Sequence, residues 1–433
     1  QAKKGAAIIA KLQAAEALTD LAVLRERWKI VLEDLGTRQN GTSQCVWTAV
    51  RELHGGVLRT PYGVLVATRE RLMEVLGDDL GFSATGYCPR MDASFGAIYL
   101  GLDQGPDYLD QSKIANAAIM AVTRRQAFDA ALLETEVQLG RWRTGAGAAG
   151  FSFDVKDLVD AVLAAICTQF FGLPEAGGVM RTGGWQARTG QANAGQPSCP
   201  GHFQAPSRYM FQPNPGDDAV EQGRAHGKAL RDYVDARLHP QGPDLQTTNT
   251  SVIGQALRDI PKARYASTLI GIMMGFLPTV DGNLRSALYE WVDDRSLWAL
   301  QLAWTTHGGR TPGAAFAVAR DVIEPALGRA MQLRPVPELV WRTATRRCRL
   351  AGVELAPGDR IVVGIVSAMQ QNRLEDSTEL WPVFGGRRAG ERHPTHACPG
   401  YEMAMGVMLG LLAGLLGAEL RPALSSTLLR LMP

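Results

Sequence analysis

The stretch from Tyr401 to about Leu416 reads as a helix with almost no polar face, and a helix of that kind has to be buried on all sides. It is too short and too Gly-interrupted to cross a bilayer, so it is expected to be a core helix. Directly ahead of it stands Thr395-His396-Ala397-Cys398-Pro399-Gly400. A sulfur at the first turn of a helix meets unpaired backbone N–H groups and the positive end of the dipole, and both favour the thiolate. Pro399 suits the first helical position. Gly400 removes a side chain where a flat group would approach the backbone.

A thiolate without a second Cys or His at ligand spacing makes a poor zinc site, but it is the axial ligand of one class of heme protein. A buried, inert Cys at a helix start is the other reading of the same string. A second Cys-Pro-Gly occurs at Cys199-Pro200-Gly201. Three prolines interrupt Phe203 to Pro215 after it, so no helix is expected there and Cys199 lacks helix-terminus stabilisation. The surrounding stretch from Gly172 to Gly216, rich in Gly, Gln and Pro, is expected to form a wall or lid.

The rest of the chain sets bounds. Its 433 residues can bury a large core, and no linker-like composition divides them, so one domain over 1–433 is expected. A net charge of +2 without a dense basic stripe argues against a nucleic-acid partner. The six cysteines show no paired spacing, which argues against a zinc module or a disulfide framework and suits a reducing, cytoplasmic location. The N-terminus continues as an amphipathic helical pattern to about Leu35 without the apolar run of a membrane anchor. A chain that opens on Gln1 is expected to be trimmed or excised from something longer. Helical periodicity covers 113–139, 154–171, 219–238, 265–302 and 314–333, whereas strands are confined to 58–68 and 340–366. The fold class is mainly α with a small β-sheet region.

His396, Cys398, Gly400 and Ala404 fill the places of the heme loop of the cytochrome P-450 family, and the chain resembles that family here. Leu333 to Val363 strengthens the likeness: a Pro-rich turn precedes strands punctuated by Ala351-Gly352 and Pro357-Gly358, with Arg342 where the family binds a heme propionate. Val57 to Arg90 resembles the family's N-terminal sheet, and Asp157 to Pro174 its helix before the substrate-access region. The resemblance implies the cytochrome P-450 fold, heme b as cofactor and Cys398 as the metal ligand. Cofactor contacts would come from Arg342, His396, Gly400 and, where the family has a propionate-binding His and Arg, from Tyr108 and Ser112. Lys113 is a candidate replacement for the missing charge.

The chain also departs from the family. Glu391 and Pro394 replace the Phe and Gly that precede the Cys, with Phe384-Gly385-Gly386 as a displaced version. Arg329 and Gln332 replace a Glu and Arg pair, and Glu324 is the nearest acid. In the central helix the acid position falls on Leu277 and the alcohol position on Pro278, neither of which relays a proton. Thr279 and Asp281 are substitutes from the next turn.

Leu277, Pro278 and Thr279 are therefore the candidate reaction residues. Pro at the alcohol position resembles branches that consume peroxides or rearrange fatty-acid hydroperoxides, and the expected substrate is an apolar small molecule such as a fatty-acid derivative. The Arg that one such branch places before the Pro is absent, since Leu277 stands there. A monooxygenase fed by a ferredoxin or flavoprotein is the second reading, supported by Arg346, Arg347, Arg349, Arg387, Arg388 and Arg392 as a docking face. A heme protein that no longer oxidises anything is the third.

Overall fold

The computed structural model describes residues 1–16, 19–33, 41–146, 151–173, 200–238, 244–311, 313–388, 393–422 and 428–431. Cys199, Glu391, Arg392, Pro174 and most of the expected lid lie outside them.

Helices dominate, as the periodicity implies. Tyr401–Gly417 is buried from Met403 to Leu416 and packs along Arg124–Ala146. Three glycines one helical turn apart make that contact possible. A Cβ on Gly406 or Gly410 would strike the Arg124 or Phe128 carbonyl, and one on Gly414 the Thr135 side chain. Val155–Phe171 is capped by the Asp154 side chain and ends in left-handed Gly172, φ 70°. Lys262–Asp293 runs through the core with Pro278 inside it.

Three helical boundaries differ from the periodicity. The 113–139 stretch is two helices, Pro106–Met120 and Arg124–Ala146. The 265–302 stretch breaks at left-handed Arg295 into Lys262–Asp293 and Ser296–Thr306. The 314–333 stretch passes through a π turn, Ala319–Ile323, before Glu324–Leu333, where Pro325 has no N–H to give.

A larger correction concerns Phe203 to Pro215. The backbone forms a helix, Pro200–Phe211, despite Pro206 inside it. Pro206 deletes one helical hydrogen bond, but Phe203, Tyr209 and Met210 are buried, and Arg90 donates to the carbonyls of Tyr209, Met210 and Gln212 at its far end. Packing and external donors outweigh the local penalty.

The main sheet has five strands in the order Val57–Thr60, Gly63–Val66, Arg360–Gly364, Leu339–Ala344 and Phe82–Ser83. Only the Gly63–Val66 to Arg360–Gly364 pair is parallel. Cys348–Leu350 and Val353–Leu355 form a separate hairpin across Ala351 and Gly352, both at positive φ as a two-residue turn demands. A three-stranded sheet of Phe151–Asp154, Leu428–Leu431 and Leu420–Pro422 was not legible from periodicity. Near the N-terminus, Ala2–Glu16, Leu21–Glu33 and Thr42–Leu53 enclose a second apolar cluster around Trp28, Trp47 and Leu65. Among the described residues no helix is long and apolar enough to cross a membrane.

Candidate functional site

Cys398 sits in a loop held from three directions. Its own N–H donates to the Phe384 carbonyl at 2.8 Å, which brings Phe384-Gly385-Gly386 against it. That turn needs left-handed Gly385 and Gly386, φ 68° and 117°. Tyr108 Oη donates to the Thr395 carbonyl at 2.6 Å, and Arg388 Nε to the Ala397 carbonyl at 2.6 Å. Two expectations change here. Tyr108 and Ser112 are buried but do not border the cavity described below, because the Tyr108 hydroxyl is committed to the loop. Arg388 is half-buried against the loop rather than displayed on a docking face. Lys113 is exposed.

The helix begins at Tyr401 with Gly400 as its cap, so Pro399 precedes the helix instead of opening it. Burial pushes the Cys398 thiol up, and the Gly400 backbone and Arg388 oppose that rise. A bound metal ion would reverse the balance, since a coordinating thiol is deprotonated.

One cavity reaches Cys398, Gly400, His396 and Arg342 on the loop and sheet side, and Gly275, Phe276 and Thr279 of the central helix. Met91, Phe171, Met210, Phe211 and Met403 give it an apolar wall. Arg342, in the strand Leu339–Ala344, is 6% exposed and donates through Nη1 to the Trp341 carbonyl at 2.9 Å, while its Nε is buried with no hydrogen-bond partner. His396 Nε2 is likewise buried and unpartnered. Burial, then the Arg342 charge, lower His396 to about 3, so its imidazole is neutral. Buried polar atoms are nearly always paired; the orphan Arg342 Nε marks where a ligand's acceptor would sit, whereas the neutral His396, with its other ring nitrogen on the Leu102 backbone, presents Nε2 as an acceptor unless a bound anion gives it a proton.

Of the three candidate reaction residues on the central helix, the cavity meets one. Leu277 is buried, and neither it nor Pro278 borders the cavity; Thr279 does. Helical spacing puts 272, 275, 276, 279 and 283 on the cavity face and turns 277 and 278 away. Thr279 Oγ lies 2.7 Å from the Gly275 carbonyl and 2.9 Å from that of Phe276. Asp281, the other substitute, does not border the cavity: it is buried, ion-paired with Arg285, and accepts from Gln204 Nε2 at 2.7 Å. Asn283 borders it but is engaged with the Thr279 and Val336 backbones.

The places where a Glu and Arg pair was expected are filled differently. Gln332 is buried and donates to the Ser377 carbonyl at 2.6 Å, while Arg329 is exposed. Arg124 joins three helices by pairing with Glu324 at 2.8 Å and Glu402 at 2.6 Å. Its partners are far apart in sequence, so no local pattern announces it. Of the other arginines assigned to a docking face, Arg346 pairs with Asp78, Arg349 with Glu354, and Arg387 stacks on Trp381; Arg347 is exposed.

The fold is that of the cytochromes P-450. The cytochrome P-450 CYP109Q5 from Chondromyces apiculatus is similar over 93% of this chain and 96% of its own, with a TM-score of 0.63 and 12% identity. An open form of the cytochrome P-450 Eryk from S. erythraea matches 90% of this chain and 95% of its own, with a TM-score of 0.62 and 16% identity. CYP109E1 from Bacillus megaterium in complex with testosterone matches 89% and 94%, with a TM-score of 0.56 and 14% identity. No protein-family model and no curated protein matches the chain.

Proposed function

We propose that the chain is a heme-thiolate oxidoreductase that binds heme b in this cavity and acts on a neutral, apolar small molecule. The observation that carries the reading is the meeting of Cys398 with the unpartnered Arg342 Nε and His396 Nε2 on one apolar cavity. Those groups match an iron and carboxylate-bearing side chains in chemistry: a thiolate for the metal, a buried guanidinium for one propionate, and for the other an imidazole that would take up a proton beside that negative charge before donating to it. Gly275 leaves open space where a side chain would otherwise stand. Such a heme, when bound, supplies oxygen transfer to an unactivated carbon.

The residues around it bind, orient and exclude water. Cys398 would hold the iron, Arg342 and His396 the propionates, and Met91, Met210, Phe211 and Phe276 an apolar substrate. No described residue on the cavity wall is a carboxylate. Reductive cleavage of O2 needs proton delivery, and here no acid is placed to make it, so a peroxide that brings its own O–O bond is the preferred oxidant. A fatty-acid hydroperoxide is less suited than a neutral substrate, because the only basic side chains on the described wall are the two assigned to propionates. The testosterone bound by the Bacillus megaterium neighbour is a compound of the suitable class.

Thr279 favours a second reading, the reductase-driven monooxygenase, because it places a hydroxyl on the cavity. The two are separated by epoxidation of styrene. With hydrogen peroxide, turnover is expected to exceed that with NAD(P)H, ferredoxin and its reductase by about tenfold, and Thr279→Ala to change it by less than about threefold. Coupled NAD(P)H-driven turnover that Thr279→Ala uncouples, with peroxide ineffective, would overturn the peroxide step and leave the heme assignment intact.

A further inference from the structure

The helix Pro200–Phe211 supplies Met210 and Phe211 to the cavity wall, and its C-terminal end is held in an unusual way. The last carbonyls of a helix have no partner inside it. Here they converge on one side chain. Arg90 Nη1 lies 2.9 Å from the Tyr209 carbonyl, 3.1 Å from that of Met210 and 2.6 Å from that of Gln212, and Nη2 is 3.0 Å from that of Pro213. Trp341 Nε1 adds a second donor to the Met210 carbonyl at 3.0 Å. The Trp341 ring carries the Arg90 guanidinium at 4.5 Å and that of Arg360 at 5.0 Å, and Arg360 donates to the Pro213 carbonyl at 2.7 Å. Burial, then Arg360, pull Arg90 down to about 10, which leaves it charged at neutral pH.

This clamp is contiguous with the site. Arg90 lies in the short helix Cys88–Asp92, whose Met91 borders the cavity, and Trp341 directly precedes Arg342. The Trp341 carbonyl accepts from both Tyr87 Oη and Arg342 Nη1, so the residue that fixes the helix end also fixes Arg342. A guanidinium can serve several carbonyls at once because its five donors are held in a planar fork; a lysine ammonium on a flexible stem cannot.

We propose that Arg90 is a positioning residue that holds the Met210–Phe211 end of this helix over the cavity and thereby sets how tightly an apolar ligand is retained. The proposal deepens the heme-cavity reading and rests on it for the nature of the ligand, but not for the clamp. Opening is expected at this end of the helix when Arg90 is lost, because the Tyr209 and Gln212 carbonyls would then lose their side-chain donor, with Met210 left to Trp341 and Pro213 to Arg360, while the apolar contacts of Phe203 remain.

Three forms of the full chain loaded with heme separate the possibilities: unmodified, Arg90→Met, which keeps a stem over Trp341 without donors, and Arg90→Lys. Amide hydrogen exchange is followed in peptides spanning 203–213 and, as a control, 403–416. Binding of 4-phenylimidazole is followed by its optical shift. In Arg90→Met, exchange at 208–213 should rise about tenfold or more and the probe's dissociation constant about fivefold to tenfold, through faster release, with the control peptide and heme content unchanged. Arg90→Lys should fall between the two. Unchanged exchange and binding in Arg90→Met would overturn the proposal, as would loss of protection in both peptides together. Trp341→Phe, which removes one donor to the Met210 carbonyl, gives the same readout where Arg90→Met does not fold. A probe that gives no optical shift with the unmodified protein would contradict the heme reading instead, and the exchange result would still decide the clamp.

Discussion

At the residue scale, the informative atoms are two buried nitrogens without partners, one a donor and one an acceptor in the neutral ring. Arg342 Nε and His396 Nε2 would each carry a desolvation cost of about 1–3 kcal/mol if left unpaired. A propionate would remove that cost at Arg342 through a charge-assisted bond of about 1.5–3 kcal/mol, so Arg342→Ala should weaken heme retention by about tenfold to a hundredfold. Transfer of heme to an excess of apomyoglobin measures this directly, and an unchanged transfer rate would contradict the assignment. Cys398, His396 and Arg342 could be singled out from sequence because each belongs to a short, ordered string. The roles of Arg388, Gln332 and Tyr108 could not, since each acts through one hydrogen bond to a backbone carbonyl on another segment. Arg388 stands in an Arg-rich run, so nothing local distinguishes it from displayed surface charge, and only the fold of the loop brings the Ala397 carbonyl to it.

At the scale of elements, helix packing decided what local rules left open. Pro206 and its neighbours suggested an irregular lid, yet the helix forms because Arg90 and Trp341 complete its end from other parts of the chain. Of the candidates Leu277, Pro278 and Thr279, only Thr279 borders the cavity, because helical spacing turns the other two away. The same helix meets Val155–Phe171 through two buried acids. Burial, then the nearby Asp281, raises Asp160 to about 7, and one oxygen of each carboxyl is unpartnered. Asp160 is therefore expected to keep its proton in the folded state at pH values where the unfolded chain has lost it. Its stabilisation is fully present below about pH 4, falls as pH rises, and is gone above about pH 7, a loss of about 2–4 kcal/mol. Urea midpoints should accordingly drop between pH 5 and pH 8, and Asp160→Asn should flatten that dependence. A midpoint that climbs over this range and is indifferent to Asp160→Asn would show the pair to be ionised.

For the whole molecule, the mainly α class and the small sheet follow from periodicity, whereas the order of strands does not, because Val57–Val66 and Leu339–Gly364 are joined by pairing across nearly the entire chain. That pairing carries Arg342 to the cavity, and the glycine-lined contact of Tyr401–Gly417 on Arg124–Ala146 fixes the helix that follows Cys398. The Arg124 ion pairs with Glu324 and Glu402 join that contact to the helix Glu324–Leu333. The fold therefore delivers one cysteine, among the described residues, to one apolar cavity, and what that thiol binds is the point on which the functional reading depends. The absorption spectrum of the purified, reduced protein under carbon monoxide tests it most directly. A thiolate-type band near its characteristic long-wavelength position is expected from the unmodified protein and from Cys199→Ala, and its complete loss from Cys398→Ala; no such band in the heme-loaded unmodified protein, or a band that survives Cys398→Ala, would contradict the assignment of Cys398.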